Sequence, residues 1–296
     1  MRFARAMIDQ AWYYGFVVFC EVKHPLTRPL KILQRASRAG VSGRPPFELT
    51  NAHRGPVPKK IWTFWAQGWE AAPPLVQVCR DSWVAQNPGW EVISLTAEDV
   101  PKYVTFNYPL EGKRLTHTNY SNLLRLSILA KEGGVWVDGT TFCGSPLDTW
   151  LPLLAWNGFF VFSKPKTTVA DWIVVATKGH PLIRRWEEYE YRYWKFATSE
   201  WRYFWPHYLF EYLIFNNAYC RGVWHNTPRV SSDGPYAAQR QFKADGSEET
   251  LIDNLFGSHA PIHKLDWRMK VSHQLVDALR LRLNKSHRDG MLHEQA

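Results

Sequence analysis

The segment GGVWVDGT at residues 133–140 places an acidic residue, Asp138, directly after a short apolar run. If that run forms a buried strand, the carboxylate loses hydration unless a cation or hydrogen-bond donors replace the water. Two cations could serve: the guanidinium of Arg125, or a divalent metal carrying a diphosphate, for which oxygen ligands suit Mg²⁺ or Mn²⁺. The alternative is that Asp138 only forms a turn before Gly139. The segment therefore predicts a charged binding site where a strand ends.

The surrounding sequence predicts the elements of an α/β domain. Apolar runs predict strands over 59–66, 90–95, 135–138, 158–164 and 172–177, and helical patterns cover 75–87, 120–132, 181–195 and 206–217. The alternation of strand and helix favours a mostly parallel central sheet flanked by helices. In such sheets ligands bind beyond the carboxyl ends of the strands, which is where Asp138 is expected.

Both ends of the chain differ from this pattern. The first ~40 residues mix apolar and basic side chains, which favours an interfacial helix. Residues 269–285 space apolar residues four apart and predict a basic amphipathic helix. We therefore expect a domain over 56–267, an N-terminal extension over 1–55, and a C-terminal helix and tail over 268–296.

The positive charge of the chain is confined to its ends. The chain carries a formal charge of +9. Residues 1–55 hold nine Lys and Arg against three acids, residues 267–296 hold six against three, and residues 56–266 hold twenty-one of each. A nucleic-acid-binding protein would carry basic residues across its folded domain, so we expect no nucleic-acid partner. Basic ends beside apolar residues favour peripheral contact with an anionic membrane, with solvated tails as the alternative.

Cysteine spacing and hydropathy bear on the compartment. The four cysteines, Cys20, Cys79, Cys143 and Cys220, form no CxxC pair, which favours a reducing compartment. The longest apolar run, residues 11–20, is about half the length of a membrane-spanning helix. No small-residue cleavage site follows it. We expect a cytoplasmic protein at the inner face of the membrane.

The stretch THTNYSNLLRLSILAKEGGVWVDGTTFCGSPLDTWL at residues 116–151 resembles the core of the capsular polysaccharide synthesis protein family, which belongs with glycosyltransferase family 32. Shorter segments add to the resemblance: PKKIWTFW at 58–65, GHPLIRRW at 179–186, YFWPHYLF at 203–210, DGPYAAQ at 233–239 and PIHKLDW at 261–267. The resemblance implies a GT-A fold, meaning a single nucleotide-sugar-binding domain with a DXD-type sugar-binding region.

The resemblance also implies roles for individual residues. Trp65 is implied to stack on the base of the donor, with Trp62 as the alternative stacking residue and a core position as the competing interpretation. Ser121, Asn122 and Arg125 lie on one predicted helix, where Asn122 and Arg125 share a face. In related enzymes this face holds the hydroxyls of the transferred sugar. We expect Arg125 to donate to the sugar or to the strand-end carboxylate, with a surface ion pair as the alternative.

Three neighbours of Asp138 complete the implied donor site, namely Trp136, Gly139 and Thr140. The commoner family pattern has an Asp where this chain has Asn122, and a second Asp where it has Thr140. The second acid of a DXD motif usually contacts the metal. Its absence leaves Asp138 as one strong ligand for the implied Mn²⁺ or Mg²⁺, together with the diphosphate, water and a later residue.

His259 and His263 are the candidates for that later metal ligand, and a structural role is the alternative for each. Asp171 opens a predicted strand, and Asp233 lies in the turn SSDGP. Both are candidates for the opposite wall of the site, although either could equally cap a turn.

The implied activity is transfer of a hexose from a UDP- or GDP-linked donor to a surface polysaccharide or glycolipid acceptor, with retention at the anomeric carbon. Departure of the nucleoside diphosphate builds negative charge, which a divalent metal or Lys and Arg must neutralise. The competing hypothesis is a non-catalytic, degenerate transferase fold that binds a glycan or a membrane assembly.

Overall fold

The computed structural model describes residues 2–23, 55–106, 110–164, 168–258 and 260–294. Its centre is a five-stranded sheet in the order β2-β1-β3-β6-β5. These strands are β1 (Lys60–Phe64), β2 (Glu91–Leu95), β3 (Gly134–Val137), β5 (Phe159–Ser163) and β6 (Val169–Ala176). A second, two-stranded sheet consists of β4 (Thr141–Cys143) and β7 (Ile262–Lys264).

The central sheet is mostly parallel, as predicted. β1 pairs in parallel with β2 and β3, whereas β6 is antiparallel to both β3 and β5. Four of these five strands therefore point the same way, and β6 runs in reverse. The connection from Ser163 to Val169 explains the reversal, because a crossover between parallel strands needs about a dozen residues or more.

Helices lie on both faces of the sheet. The four helices predicted between residues 75 and 217 begin and end within a few residues of the observed bounds, whereas the helix predicted over 269–285 begins at His273 and continues to Glu294. In chain order they are α1 (Arg2–Val18, continued by a π-helical turn, Phe19–Lys23), α2 (Pro74–Gln86), α3 (Val100–Tyr103), α4 (His117–Lys131), α5 (Leu147–Leu154), α6 (Pro181–Phe196), α7 (Trp205–Asn216), α8 (Ala218–Asn226), α9 (Ala237–Asp245), α10 (Glu248–Gly257) and α11 (His273–Glu294).

Successive strand residues alternate between two apolar cores. Trp62, Trp136 and Val174 lie in the core that includes residues of α4, α6 and α7. Val135 and Ile173 lie in the opposite core, with residues of α2 and α5. The period of two residues follows from the pleat of a strand. Because both faces are covered, the strands appear in the sequence as continuous apolar runs.

The β4–β7 sheet positions the chain that follows β3. Phe142 pairs with His263, and Thr141 pairs with Lys264. Three residues are too few to show an alternating pattern, so neither strand is predictable from its sequence. The pairing brings the segment after Asp138 beside the residues that follow β7.

The terminal helices pack on the domain. Leu275, Leu279 and Leu283 of α11 share one apolar cluster with residues of α2. Trp12 of α1 contacts the ring of Tyr212, with the ring centroids 5.6 Å apart. The apolar face predicted for α11 therefore packs against the domain, and so does one face of α1. None of the helices in the described ranges is both long enough and apolar enough to span a bilayer.

Candidate active site

A cavity of about 690 Å³ opens at the edge of the sheet where β1 and β3 end and β6 begins. Its walls come from the residues just after β1 and β3, the first half of α4, the starts of β6 and α7, and residues 264–268. Since β6 is reversed, its first residues meet the last residues of the parallel strands at this edge. Open α/β sheets bind their ligands at such an edge.

One guanidinium joins two carboxylates in this cavity. Arg125 Nη2 donates to Asp138 Oδ1 at 2.8 Å, and Arg125 Nη1 lies 2.8 Å from Asp171 Oδ2. The indole Nε1 of Trp136 donates to the same oxygen of Asp138 at 3.2 Å. The Arg125 side chain is only 5% exposed, so water screens this bridge weakly. Of the two cations considered for Asp138, the structure brings Arg125 to it.

His207 on α7 holds the second carboxylate. His207 Nε2 lies 2.8 Å from Asp171 Oδ1, so both oxygens of Asp171 are engaged. Burial alone would raise the pKa of Asp171, but the electrostatic effects of His207 and Arg125 outweigh it and hold that pKa below its usual range. Asp171 therefore stays ionised and fixes the orientation of Arg125.

A third carboxyl group, that of Glu190 on α6, lies in the electrostatic environment of Arg125. Glu190 is 1% exposed, and its Oε2 has no hydrogen-bond partner among the described residues. Burial raises the pKa of Glu190 well above its usual value. The charge of Arg125 lowers that pKa and the charge of Asp171 raises it.

We expect Glu190→Gln to weaken the dependence of stability on pH. The folded protein keeps the proton of Glu190 to a higher pH than the unfolded chain, whose pKa is about 4.3. The contribution of Glu190 to stability is therefore present below the unfolded pKa and is lost as the pH rises through the folded pKa. Thermal unfolding of both proteins between about pH 4 and pH 8 measures it. The stability of the variant relative to that of the wild type should increase as the pH rises. Parallel curves of stability against pH would contradict the raised pKa of Glu190.

Trp65 forms part of the cavity wall just after β1. Its half-buried ring packs beside Trp69 and Val76. A Cβ atom at Gly139 would come within 3.2 Å of Trp65 Cε3. A glycine after Asp138 therefore lets the indole lie against the end of β3.

The structure brings most of the predicted site residues to one cavity. Ser121 and Asn122 lie one turn before Arg125 on α4, which begins after the capping residue Thr116. The predicted residues that line the cavity are Trp65, Ser121, Asn122, Arg125, Asp138, Gly139, Thr140 and Asp171.

The two other tryptophans predicted for the site, Trp62 and Trp136, do not line the cavity. Trp62 is fully buried inside β1, where its Nε1 donates to the backbone oxygen of Gly133 at 2.9 Å and its ring lies against Tyr103. The alternative assignment of Trp62 as the stacking residue is therefore wrong, because its ring faces are covered by the core. Trp136 is also fully buried; its Nε1 donates to Asp138, and its ring centroid lies 5.6 Å from Arg125 Cζ.

Asp233 and His263 lie outside the cavity wall, which corrects their predicted roles. The Asp233 side chain is 64% exposed and accepts a hydrogen bond from Ser231 Oγ, as a turn residue does. His263 is buried, and burial lowers its pKa to about 4. It lies on β7, where successive side chains point to opposite sides, and it is Lys264 that lines the cavity. The other candidate ligand, His259, lies outside the described residues.

Several cavity residues received no role from the sequence, although three of them lie in segments that carry the family resemblance. They are Lys164, His207, Tyr236 and Lys264. Lys264 lies in the segment PIHKLDW, next to His263, which was a candidate metal ligand. Had the strand been recognisable in the sequence, the alternation of its side chains would have placed these two residues on opposite sides. Lys164 follows β5, whose end reaches the same edge of the sheet as Asp138.

The cavity offers few ligands to the predicted Mn²⁺ or Mg²⁺. The described residues contain no group of three or more His, Cys, Asp or Glu that could hold a metal. Both oxygens of Asp171 are engaged, Asp138 Oδ1 accepts two hydrogen bonds, and the Thr140 hydroxyl accepts one from Lys264 Nζ. Asp138 Oδ2 remains as a possible ligand, so a divalent metal at this site would depend on the diphosphate and water for the rest of its coordination.

Fold and cavity together define an α/β protein with a cavity lined by charged side chains at the edge of its sheet. Residues 42–282 match the family model described as capsular polysaccharide synthesis protein. The chain therefore belongs to the capsular polysaccharide synthesis protein family, which confirms the family predicted from its sequence.

Two curated relatives are named as glycosyltransferases. O-glycosyltransferase braB of Annulohypoxylon truncatum is 27% identical over 177 residues, which cover 51% of this chain and 41% of that protein. Glycosyltransferase afumC of Aspergillus fumigatus is 28% identical over 167 residues, which cover 48% of this chain and 42% of that protein. The chain thus matches about two fifths of the length of these relatives. Their names agree with the predicted class of enzyme.

Among solved structures, the PaToxG glycosyltransferase aligns with 90% of this chain and 96% of its own. The TM-score is 0.40 and the sequence identity is 11%. A score of this size does not establish a shared fold.

Proposed function

We propose that this protein is a glycosyltransferase of GT-A type, with the family 32 relationship and DXD-like region that its sequence resemblance implies. The observation that carries the proposal is the carboxylate of Asp138 at the end of β3, paired with Arg125 and facing a cavity of about 690 Å³. A cavity of this size can enclose a nucleotide sugar. Family membership and the glycosyltransferase names of the curated relatives support the same activity.

In this proposal the donor is a UDP- or GDP-linked hexose whose base stacks on Trp65. The hexose lies against the face of α4 that carries Ser121 and Asn122, where hydroxyl and amide groups can hold sugar hydroxyls. Asp138 accepts a hydrogen bond from the sugar through Oδ2, and Arg125 keeps the carboxylate in place. The site acts by positioning the donor and stabilising the leaving group, with retention at the anomeric carbon.

A bound Mn²⁺ or Mg²⁺ ion stays a prediction. Asp138 would be its protein ligand, and the diphosphate and water would complete its coordination. The metal would neutralise charge on the leaving group when bound. Donor hydrolysis measured in EDTA and in Mn²⁺ tests whether the ion is needed, since a strict requirement predicts no turnover in EDTA.

The proposed acceptor is a growing surface polysaccharide or a glycolipid, met at the inner face of the membrane. The side chains of Met7, Tyr14 and Val18 are 58%, 59% and 60% exposed. Their spacing of seven and four residues places them on one face of α1, away from its packed face. An exposed apolar face of this kind binds at a lipid surface. Vesicle flotation measures this contact, and a protein that stays with the aqueous fraction would contradict it.

A screen of nucleotide sugars for hydrolysis tests the proposed function most directly. Each donor is incubated with the full chain, and the release of nucleoside diphosphate is measured. Turnover of one donor above the others is the expected result. A protein that neither hydrolyses a nucleotide sugar nor binds a nucleoside diphosphate is not a glycosyltransferase of this kind.

We expect Trp65→Ala to weaken donor binding while leaving the fold intact. Stacking on an aromatic side chain contributes about 1–3 kcal/mol per base, which corresponds to roughly a five- to 150-fold change in Kd. Calorimetric titration with the preferred nucleoside diphosphate measures the change. Trp156→Ala is the matched control, because Trp156 is 42% exposed and is absent from the cavity wall. Equal losses in both variants would remove Trp65 from the base site.

A further inference from the structure

Lys264 brings a positive charge to the side of the cavity where the chain lacks a second acid. It is the last residue of β7 and pairs with Thr141 of β4. Its Nζ donates to the hydroxyl of Thr140 and, at 3.2 Å, to the backbone oxygen of Leu265. The position at which an acid would attract a metal ion is therefore occupied by a hydroxyl bound to an ammonium group.

The charge of Lys264 is incompletely compensated. The ion pairs of the described residues do not include it, although Asp138 and Asp266 act on it from further away. Burial lowers the pKa of Lys264, and those two carboxylates raise it. Asp266 also pairs with Lys243 and Arg268. A polyanion in the cavity would complete the charge balance around Lys264.

A second ammonium group faces the same cavity from the end of β5. Lys164 Nζ lies 5.3 Å from the ring centroid of Tyr236 and 5.7 Å from that of Phe204. Burial lowers the pKa of Lys164, and Asp171 and Asp138 raise it. Lys164 and Lys264 come from different sheets and line one cavity that also contains the Asp138 carboxylate.

We propose that Lys264 and Lys164 bind the diphosphate of the donor and neutralise it as it leaves, so that binding of the nucleotide does not need a divalent metal. The inference rests on the proposed glycosyltransferase activity and names the groups that hold its leaving group. Lysine binds phosphate as a compact point charge with three donors. Two ammonium groups match the charge that a metal dication would supply.

The same two cations would serve the transfer step. The bond between the anomeric carbon and the diphosphate oxygen breaks, and its electron pair stays on that oxygen. The acceptor hydroxyl oxygen forms the new bond to the anomeric carbon, and its proton is released to water. The charge that builds on the departing oxygen is stabilised by donors already in place.

Calorimetric titration of the full chain with a panel of nucleoside diphosphates (UDP, GDP, CDP, dTDP and ADP), in EDTA and in Mn²⁺, tests the inference. The variants are Lys264→Met, Lys264→Arg and Lys164→Met. Lys102→Met is the control, since Lys102 is 69% exposed and lies outside the cavity wall. Thermal unfolding checks each fold, and Lys164→Met carries the test if Lys264→Met is unstable.

The wild type should bind one nucleotide in EDTA. Each lysine-to-methionine change should weaken that binding by roughly tenfold or more, because a hydrogen bond to a charged group is lost. Lys264→Arg should keep most of the affinity, and Lys102→Met should keep all of it. Binding that appears only with Mn²⁺, or methionine variants that bind like the wild type, would overturn the lysine assignment alone. A wild type that binds no nucleotide in either buffer would overturn the proposed function as well.

Discussion

We expect Asp138→Asn to lower kcat/KM for donor turnover by roughly a hundred- to a thousand-fold, the effect of removing one preorganised group from a transition-state site. The amide has the size of the carboxylate and keeps an oxygen that can accept from Arg125. The variant loses the negative charge that, in the proposed function, accepts a hydrogen bond from the sugar. The rate of nucleoside diphosphate release measures the effect.

A matched control separates this effect from a general change of charge. Asp253→Asn removes one acid from a side chain that is 74% exposed, on α10 and outside the cavity wall. Turnover by this variant should equal that of the wild type. The thermal unfolding curves of both variants should stay close to that of the wild type. Full turnover by Asp138→Asn would show that Asp138 takes no part in the reaction.

We expect Arg125→Met to lower the free energy of unfolding by about 3–5 kcal/mol, because it leaves two partly buried carboxylates without their shared cation. Turnover should fall with it, since Asp138 is no longer held. The charge of Arg125 helps to lower the pKa of Asp171, so the variant raises that pKa. The loss should therefore be smaller at acid pH, where the carboxylates take up protons. Urea unfolding at several pH values measures both effects.

Arg185→Met provides the comparison for this prediction. Arg185 is 54% exposed and pairs with Glu188 one turn away on α6, at 2.6 Å. An exposed pair of this kind contributes about 0–1 kcal/mol. If Arg125→Met unfolds no more easily than Arg185→Met, then the buried bridge adds nothing to stability. The double variant Arg125→Met with Asp171→Asn should recover part of the loss, because it removes one of the two stranded charges.

The parts of the site that sequence predicts are those set by local pattern. Asp138 follows a short apolar run that two glycines separate from the preceding helical pattern, and Asn122 and Arg125 lie on a helix whose period is plain. Strand ends and helix faces both follow from such periods, so the meeting of Asp138 with Arg125 could be expected. Trp65 lies just beyond β1, where the chain leaves the buried sheet and the side chain can face the cavity.

The parts that sequence does not predict depend on pairing between distant segments. Lys264 enters the cavity because β7 pairs with β4, and two three-residue strands carry too little pattern to be found. Trp62 and Trp65 have the same side chain. The ring of Trp62 is buried in the core and that of Trp65 faces the cavity, because β1 ends between them. His207 reaches Asp171 from α7, 36 positions along the chain. Such contacts are fixed by tertiary packing.

Because β6 runs antiparallel to β3, the positions of Asp138 and Asp171 depend on the register between these two strands. Asp138 follows the tail of β3, and Asp171 lies near the head of β6, with Val137 opposite Ile173. A slip of one position between these strands would turn the Asp171 side chain to the far side of the sheet, away from the guanidinium. A sheet shifted by one residue would thus place a charge in an apolar layer, so the bridge disfavours that register.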